Sequence, residues 1–113
     1  DLLSQITQDF LWHMQHQVNE SLLYAGMRDL LIRLKTQGFY LSIATSKSRI
    51  ELDKAICYHG LSDIFDVTCC SEAYRDKPDP AMLHYIAKVS ETSLAQGVMI
   101  GDTTTDILFA RNA

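Results

Sequence analysis

No stretch of this 113-residue sequence is apolar for long enough to cross a bilayer. The uncharged run from Gly38 to Ser46 falls far short of the roughly 20 residues a helical span needs, so no membrane association is expected. Asp1-Leu2-Leu3 has neither a basic n-region nor a small-residue cleavage site, so no secretory signal is expected there. Excess basic charge is missing too. The formal charge is −4, and affinity for nucleic acid rests on clustered Lys and Arg; no nucleic-acid partner is expected. The three cysteines, Cys57, Cys69 and Cys70, have no Cys-x-x-Cys or Cys/His spacing, and adjacent cysteines pair poorly. Buried free thiols in a reducing cytoplasm are expected. Internal repeats and low-complexity linkers are likewise absent. The chain is at most one domain, with an ordinary apolar share of 47%.

What is present is a regular alternation of periods. Leu3, Ile6, Phe10, Met14 and Val18 recur every three or four residues and predict a first helix, broken at Asn19-Glu20-Ser21. A second helix follows Gly26, with Met27, Leu30, Leu31 and Leu34 on one face and Gly38 as its C′ residue. Residues 39–45 are short, apolar and partly β-branched or aromatic, as in a strand buried on both faces. Ser48-Arg49-Ile50-Glu51 reads as a capping box opening a helix that Gly60 closes. A second strand is expected at 66–70. Asp79 and Pro80 read as N-cap and N1 of a helix burying Met82, Leu83, Ile86 and Val89 or Ser90. Residues 97–101 predict a third strand. A last helix begins near Thr105 and is still running at Ala113, so a piece of a longer chain is expected. Strand and helix alternating near a 30-residue period predict an α/β fold, a Rossmann-like parallel sheet with flanking helices.

In such sheets ligands bind beyond the carboxyl ends of the strands. Thr45, Ser46 and Lys47 follow the first strand. Lys77, in Arg75-Asp76-Lys77-Pro78-Asp79-Pro80, follows the second. Gly101-Asp102-Thr103-Thr104-Thr105-Asp106 follows the third. Each has a plain alternative: Thr45 as a turn residue, Lys77 as a solvated lysine, Asp102 as a cap, Asp106 as a partner of the helix dipole. Together they suit a phosphate ester. Thr45 and the amides opening the next helix supply donors, and Lys77 a point charge. Asp102 and Asp106 would repel the ester unless a cation lay between, and hard carboxylate oxygens favour Mg²⁺.

Leu41-Ser42-Ile43-Ala44-Thr45-Ser46-Lys47, then Lys77-Pro78-Asp79-Pro80, then Met99-Ile100-Gly101-Asp102-Thr103-Thr104-Thr105-Asp106 resembles the second, third and fourth motifs of the haloacid dehalogenase-like hydrolases. The phosphoglycolate phosphatase-like branch is the nearest likeness, and Leu23-Tyr24-Ala25-Gly26-Met27 looks like that branch's return from its helical cap. The resemblance implies residues 1–20 as the end of the cap and 21–113 as a partial hydrolase core. It implies Thr45, Ser46 and Lys77 at the phosphate, Thr45 and Lys77 being catalytic. Asp102 would be the Mg²⁺ ligand, with Asp106 a second one, direct or through water. The implied reaction is hydrolysis of a small phosphorylated metabolite through an aspartyl-phosphate. The attacking Asp-x-Asp lies on an earlier strand, and no such motif precedes Thr45. That strand is expected between 39–45 and 97–101, and without it the 113 residues are expected to be inactive.

A dehalogenase needs no metal and gives the Asp102/Asp106 pair no purpose. A phosphonate hydrolase needs a cap lysine, and no lysine occurs before Lys35. A phosphomutase shares the core and stays open, as does an inactive binding fragment. A receiver domain also joins Thr or Ser, Lys-Pro and an acidic Mg²⁺ site, but in another order.

Overall fold

The computed structural model describes residues 1–17 and 22–113, of residues 10–17 the helical backbone alone. In chain order the elements are α1 (Leu2–Gln17), α2 (Met27–Thr36), β1 (Ser42–Thr45), α3 (Arg49–Tyr58), β2 (Val67–Cys70), α4 (Ala81–Ser90), a 3₁₀ turn (Leu94–Gln96) and α5 (Thr104–Asn112). The architecture is α/β, as the alternation of periods predicts. Val18, the break at 19–21 and the expected boundary near residue 20 lie outside the described residues.

β1 and β2 pair in parallel, Ser42 opposite Val67 and Thr45 opposite Cys70. The pairing runs one bond further at each end, from Asp66 N–H to Leu41 C=O (2.7 Å) and from Ser71 N–H to Thr45 C=O (3.1 Å). Asp66 fixes this register. Its carboxylate accepts from Leu41 N–H at 2.9 Å and pairs with Lys35 at the end of α2. The Lys35 ammonium and that amide hold the Asp66 carboxyl below the usual carboxylate range.

α2, α3 and α4 all end the same way. Phe39 N–H reaches Leu34 C=O and Gly38 N–H reaches Lys35 C=O; Leu61 and Gly60 do the same to Ile56 and Cys57. Thr92 and Glu91 repeat it on Ala87 and Lys88. These are paired Schellman bonds, which need a left-handed residue at C′. Gly38 (φ 89°) and Gly60 (φ 66°) supply it without steric cost, whereas at the third end Glu91 is forced to φ 55°.

The core gathers Cys69 of β2, Met82 of α4 and Phe109 of α5, with Ala44, Leu83, Ile86 and Met99 around them. On α4 it is Ser90 rather than Val89 that turns inward. Val89 is exposed, and Ser90 Oγ donates to Ile86 C=O at 2.7 Å. The stripe on α2 covers less than expected: Met27, Leu31 and Leu34 are half-buried and Leu30 is exposed. Cys69 and Cys70 are buried free thiols whose pKa values burial raises, but Cys57 is exposed.

The expected third strand is not formed. Met99 of the 97–101 segment faces the core, but Val98 (87% exposed) and Ile100 (72%) do not, and the described residues offer it no ladder partner. Nor does any backbone hydrogen bond join 97–101 to β1 among the described residues. Apolar patterning is local to a segment, whereas a strand is completed by a neighbour. The segment still delivers Gly101 and Asp102 to the start of α5.

Candidate functional site

Beyond the carboxyl end of β1 the chain turns into α3, and its polar groups are spent in order. Thr45 Oγ1 accepts from Lys47 N–H at 3.2 Å, leaving the hydroxyl proton to be donated outward. Ser48 and Glu51 close the expected capping box: Glu51 N–H donates to Ser48 Oγ at 3.2 Å, and Ser48 N–H to Glu51 Oε2 at 2.8 Å. Arg49 N–H goes to Glu72 Oε2 at 3.3 Å. The amides of Lys47, Ser48 and Arg49 are therefore engaged within the protein, contrary to the expectation that this helix start holds its N–H groups open. A full capping box satisfies the donors that an anion would otherwise take.

Ser46 behaves differently from Thr45. Its hydroxyl donates to Asp76 Oδ1 at 2.5 Å, and its carbonyl accepts from Ser71 Oγ at 3.1 Å. The same Asp76 oxygen accepts Lys77 N–H at 2.7 Å. Ser46 thus ties the end of β1 to the loop that carries Lys77.

That loop continues through a cis Lys77–Pro78 bond into α4, which begins at Ala81, one residue later than expected. Asp79 still caps it, accepting from Ala81 N–H at 2.9 Å. Lys77 Nζ lies 2.8 Å from Asp106 Oδ1 and 5.4 Å from the centroid of the Phe109 ring. Both ends of this pair are largely enclosed, with side-chain exposures of 15% and 11%. The other Asp106 oxygen accepts from Thr103 Oγ1 (3.0 Å) and Thr103 N–H (3.3 Å). The Lys77 ammonium, then Thr103, hold the Asp106 carboxyl below its ordinary range against the opposing effect of burial. Asp106 is thus the partner of Lys77 and the N3 member of the capping box that opens α5, with a partner on each oxygen.

Gly101 makes this possible. A Cβ there would sit 2.4 Å from Asp106 Cγ and Oδ2, closer than any real contact. The approach of Asp106 to the loop backbone requires a residue without a side chain, a signal that Gly-Asp-x-x-x-Asp carries but that motif spacing alone does not explain.

Asp102 is the exposed carboxylate of the set. Among the described residues its one donor is Tyr24, whose hydroxyl reaches Oδ2 at 3.0 Å across 78 positions of sequence. Asp102 in turn raises the Tyr24 pKa, by accepting that proton and by its charge. Nothing in the local pattern around Tyr24 points to the fourth motif, so the sequence alone does not place it at the site. No group of three or more His, Cys, Asp or Glu comes together among the described residues. The donor set is one carboxylate with an open oxygen beside a second that is occupied. It fits an ion that takes few protein ligands and keeps its waters, such as Mg²⁺.

Comparison with known proteins follows the same lines. The family model described as haloacid dehalogenase-like hydrolase matches residues 3–113. A phosphoglycolate phosphatase of Colwellia psychrerythraea is 38% identical over 106 residues, 92% of this chain and 47% of that protein. One from Psychrobacter arcticus is 34% identical over 96 residues, 84% of this chain and 42% of that protein. This chain therefore spans about half the length of the curated relatives it matches. Among solved structures, a haloacid dehalogenase-superfamily hydrolase, subfamily IA, from Geobacter sulfurreducens superposes with a TM-score of 0.80 at 22% identity, covering 88% of this chain and 47% of that one.

Proposed function

Because the chain belongs to the haloacid dehalogenase-like hydrolase family, we propose that the full-length protein is a Mg²⁺-dependent phosphatase of small phosphomonoesters. Phosphoglycolate is the first ester to test, since the relatives at 38% and 34% identity carry the name phosphoglycolate phosphatase. The observation that carries this reading is the enclosed Lys77–Asp106 pair at 2.8 Å, next to an exposed Asp102. A lysine held by a second carboxylate is aimed but not free to wander. Its remaining two ammonium protons are available to an anion.

In this reading Thr45 donates its hydroxyl proton to one non-bridging oxygen of the ester and Lys77 neutralises another. Ser46 acts on the site indirectly, by holding Asp76 and so the Lys77 loop. Asp102 would hold Mg²⁺, and Asp106 would orient Lys77 and contribute through water to the ion's surroundings. Mg²⁺ at Asp102 would draw charge from the phosphate oxygens. This reading calls for an attacking aspartate and a general acid in addition to the residues named here. With its thiols free, the protein is proposed to work in the cytoplasm.

The test is phosphate release by the full-length protein from a panel of small phosphomonoesters. Lys77→Met keeps an aliphatic stem beside Phe109 while removing the charge. It is expected to lose on the order of 10²-fold or more in kcat/KM, the usual cost of deleting a donor aimed at transition-state charge. Wild-type activity in Lys77→Met, or no release from any ester, overturns the proposal.

A further inference from the structure

The hydrogen bond from Tyr24 to Asp102 reaches the site from outside the three strand-end segments. Tyr24 lies just ahead of α2. Its backbone is fixed: Met27 N–H donates to Tyr24 C=O at 3.0 Å, and Gly26 turns the chain at φ 78°. Tyr24 is 70% exposed, so burial of apolar area is not what holds it there. Its hydroxyl nonetheless lies 3.0 Å from Asp102 Oδ2, and no other described side chain donates to Asp102. Asp102 is anchored only through its neighbours, Gly101 against Asp106 and Thr103 bonded to it. Its carboxylate would otherwise rotate freely in solvent.

We propose that Tyr24 is a positioning residue for the metal ligand, holding Asp102 Oδ2 so that Oδ1 is presented to the cation. This rests on Asp102 being the Mg²⁺ ligand. A donor on one oxygen fixes the carboxylate plane and favours one-oxygen ligation, the mode that suits Mg²⁺. It also moderates the charge on Asp102, so affinity rather than the chemical step should respond. Partners of this kind are worth 10- to 100-fold in metal affinity when removed. The bond lies at the surface, and exposed hydrogen bonds of this sort add little to folding stability.

The experiment is Mn²⁺ binding to the full-length protein, followed by the loss of the free-ion electron paramagnetic resonance signal, with Mg²⁺ as competitor. Wild type, Tyr24→Phe, Tyr24→Leu and Asp102→Asn are compared. Tyr24→Phe is expected to weaken binding about tenfold or more, Tyr24→Leu by the same factor, and kcat at saturating Mg²⁺ to stay near wild type in both. If Asp102→Asn loses the ion while Tyr24→Phe binds as wild type, this inference fails and the metal reading survives. If Tyr24→Phe keeps its affinity and only Tyr24→Leu loses it, the ring and not the hydroxyl acts, which also overturns it. Tighter binding by Tyr24→Phe would mean that the tyrosine competes with the ion. If Asp102→Asn binds as wild type, the metal reading itself falls, and this inference with it.

Discussion

Replacing Gly101 by alanine adds one methyl group at the most crowded point of the site. The new carbon would lie 2.4 Å from Asp106 Cγ, 2.4 Å from Oδ2 and 2.5 Å from Cβ. Unstrained carbon contacts begin about 1 Å further out, and the atoms struck are those of a side chain pinned at both oxygens. The loop cannot yield cheaply either, since Thr103 is bonded to the same carboxylate. Relief means moving Asp106 away from Lys77. Overpacking costs about 1–3 kcal/mol, and separating a largely enclosed ion pair about 3–5 kcal/mol at most. As the pair keeps 15% and 11% exposure, water softens the second figure, and about 2–4 kcal/mol is expected in total. That is a large part of a typical stability of about 5–15 kcal/mol. Urea unfolding of the full-length protein reads it directly. Gly97→Ala is the control, because its nearest contact is a carbonyl oxygen at 3.3 Å. A Gly101→Ala midpoint equal to that of Gly97→Ala would refute the reasoning and with it the role assigned to this glycine.

Glu91→Gly should stabilise the fold by about 0.5–1 kcal/mol, since glycine removes the left-handed strain but costs some unfolded-state entropy; denaturant unfolding measures it, and a loss of stability contradicts the assignment of Glu91 to the C′ position. Asp66→Asn should cost about 1–2 kcal/mol at neutral pH, the worth of two charge-assisted bonds at a partly exposed site. Asp66 has its carboxyl pKa lowered in the folded protein. Its contribution is therefore complete above the unfolded value near 3.9 and lost as pH falls through the lower, folded one. Stability measured from pH 7 down through that window should fall less steeply for Asp66→Asn than for wild type, and parallel curves would contradict this.

Much of the fold is legible in the sequence where a signal is local. The Ser48/Glu51 box, the closing roles of Gly38 and Gly60 and the two paired strands each depend on a few adjacent residues, and each is found. The departures are non-local. Residues 97–101 have a strand's composition but lack a neighbour in the described chain. Glu91 occupies a glycine's position because the Schellman bonds of α4 demand it, a requirement that no residue type announces. Within the site, the sequence reading assigns both acids to the metal. The structure adds the contacts of Asp106 with Thr103 and with Lys77, the latter joining an ammonium and a carboxylate oxygen 29 residues apart. Tyr24 shows the same limit from the other side, since its partner is met only in three dimensions.

In the proposed mechanism Asp102 would bring Mg²⁺ to an ester held by Thr45 and Lys77. The most direct measurement is phosphate release from phosphoglycolate by the full-length protein as Mg²⁺ is removed by EDTA and restored, in wild type and Asp102→Asn. Activity should vanish with the metal and return with it, and Asp102→Asn should lose on the order of 10²-fold or more, because the ion offsets several kcal/mol of charge. Turnover indifferent to EDTA, or an Asp102→Asn protein at wild-type rate, would contradict it.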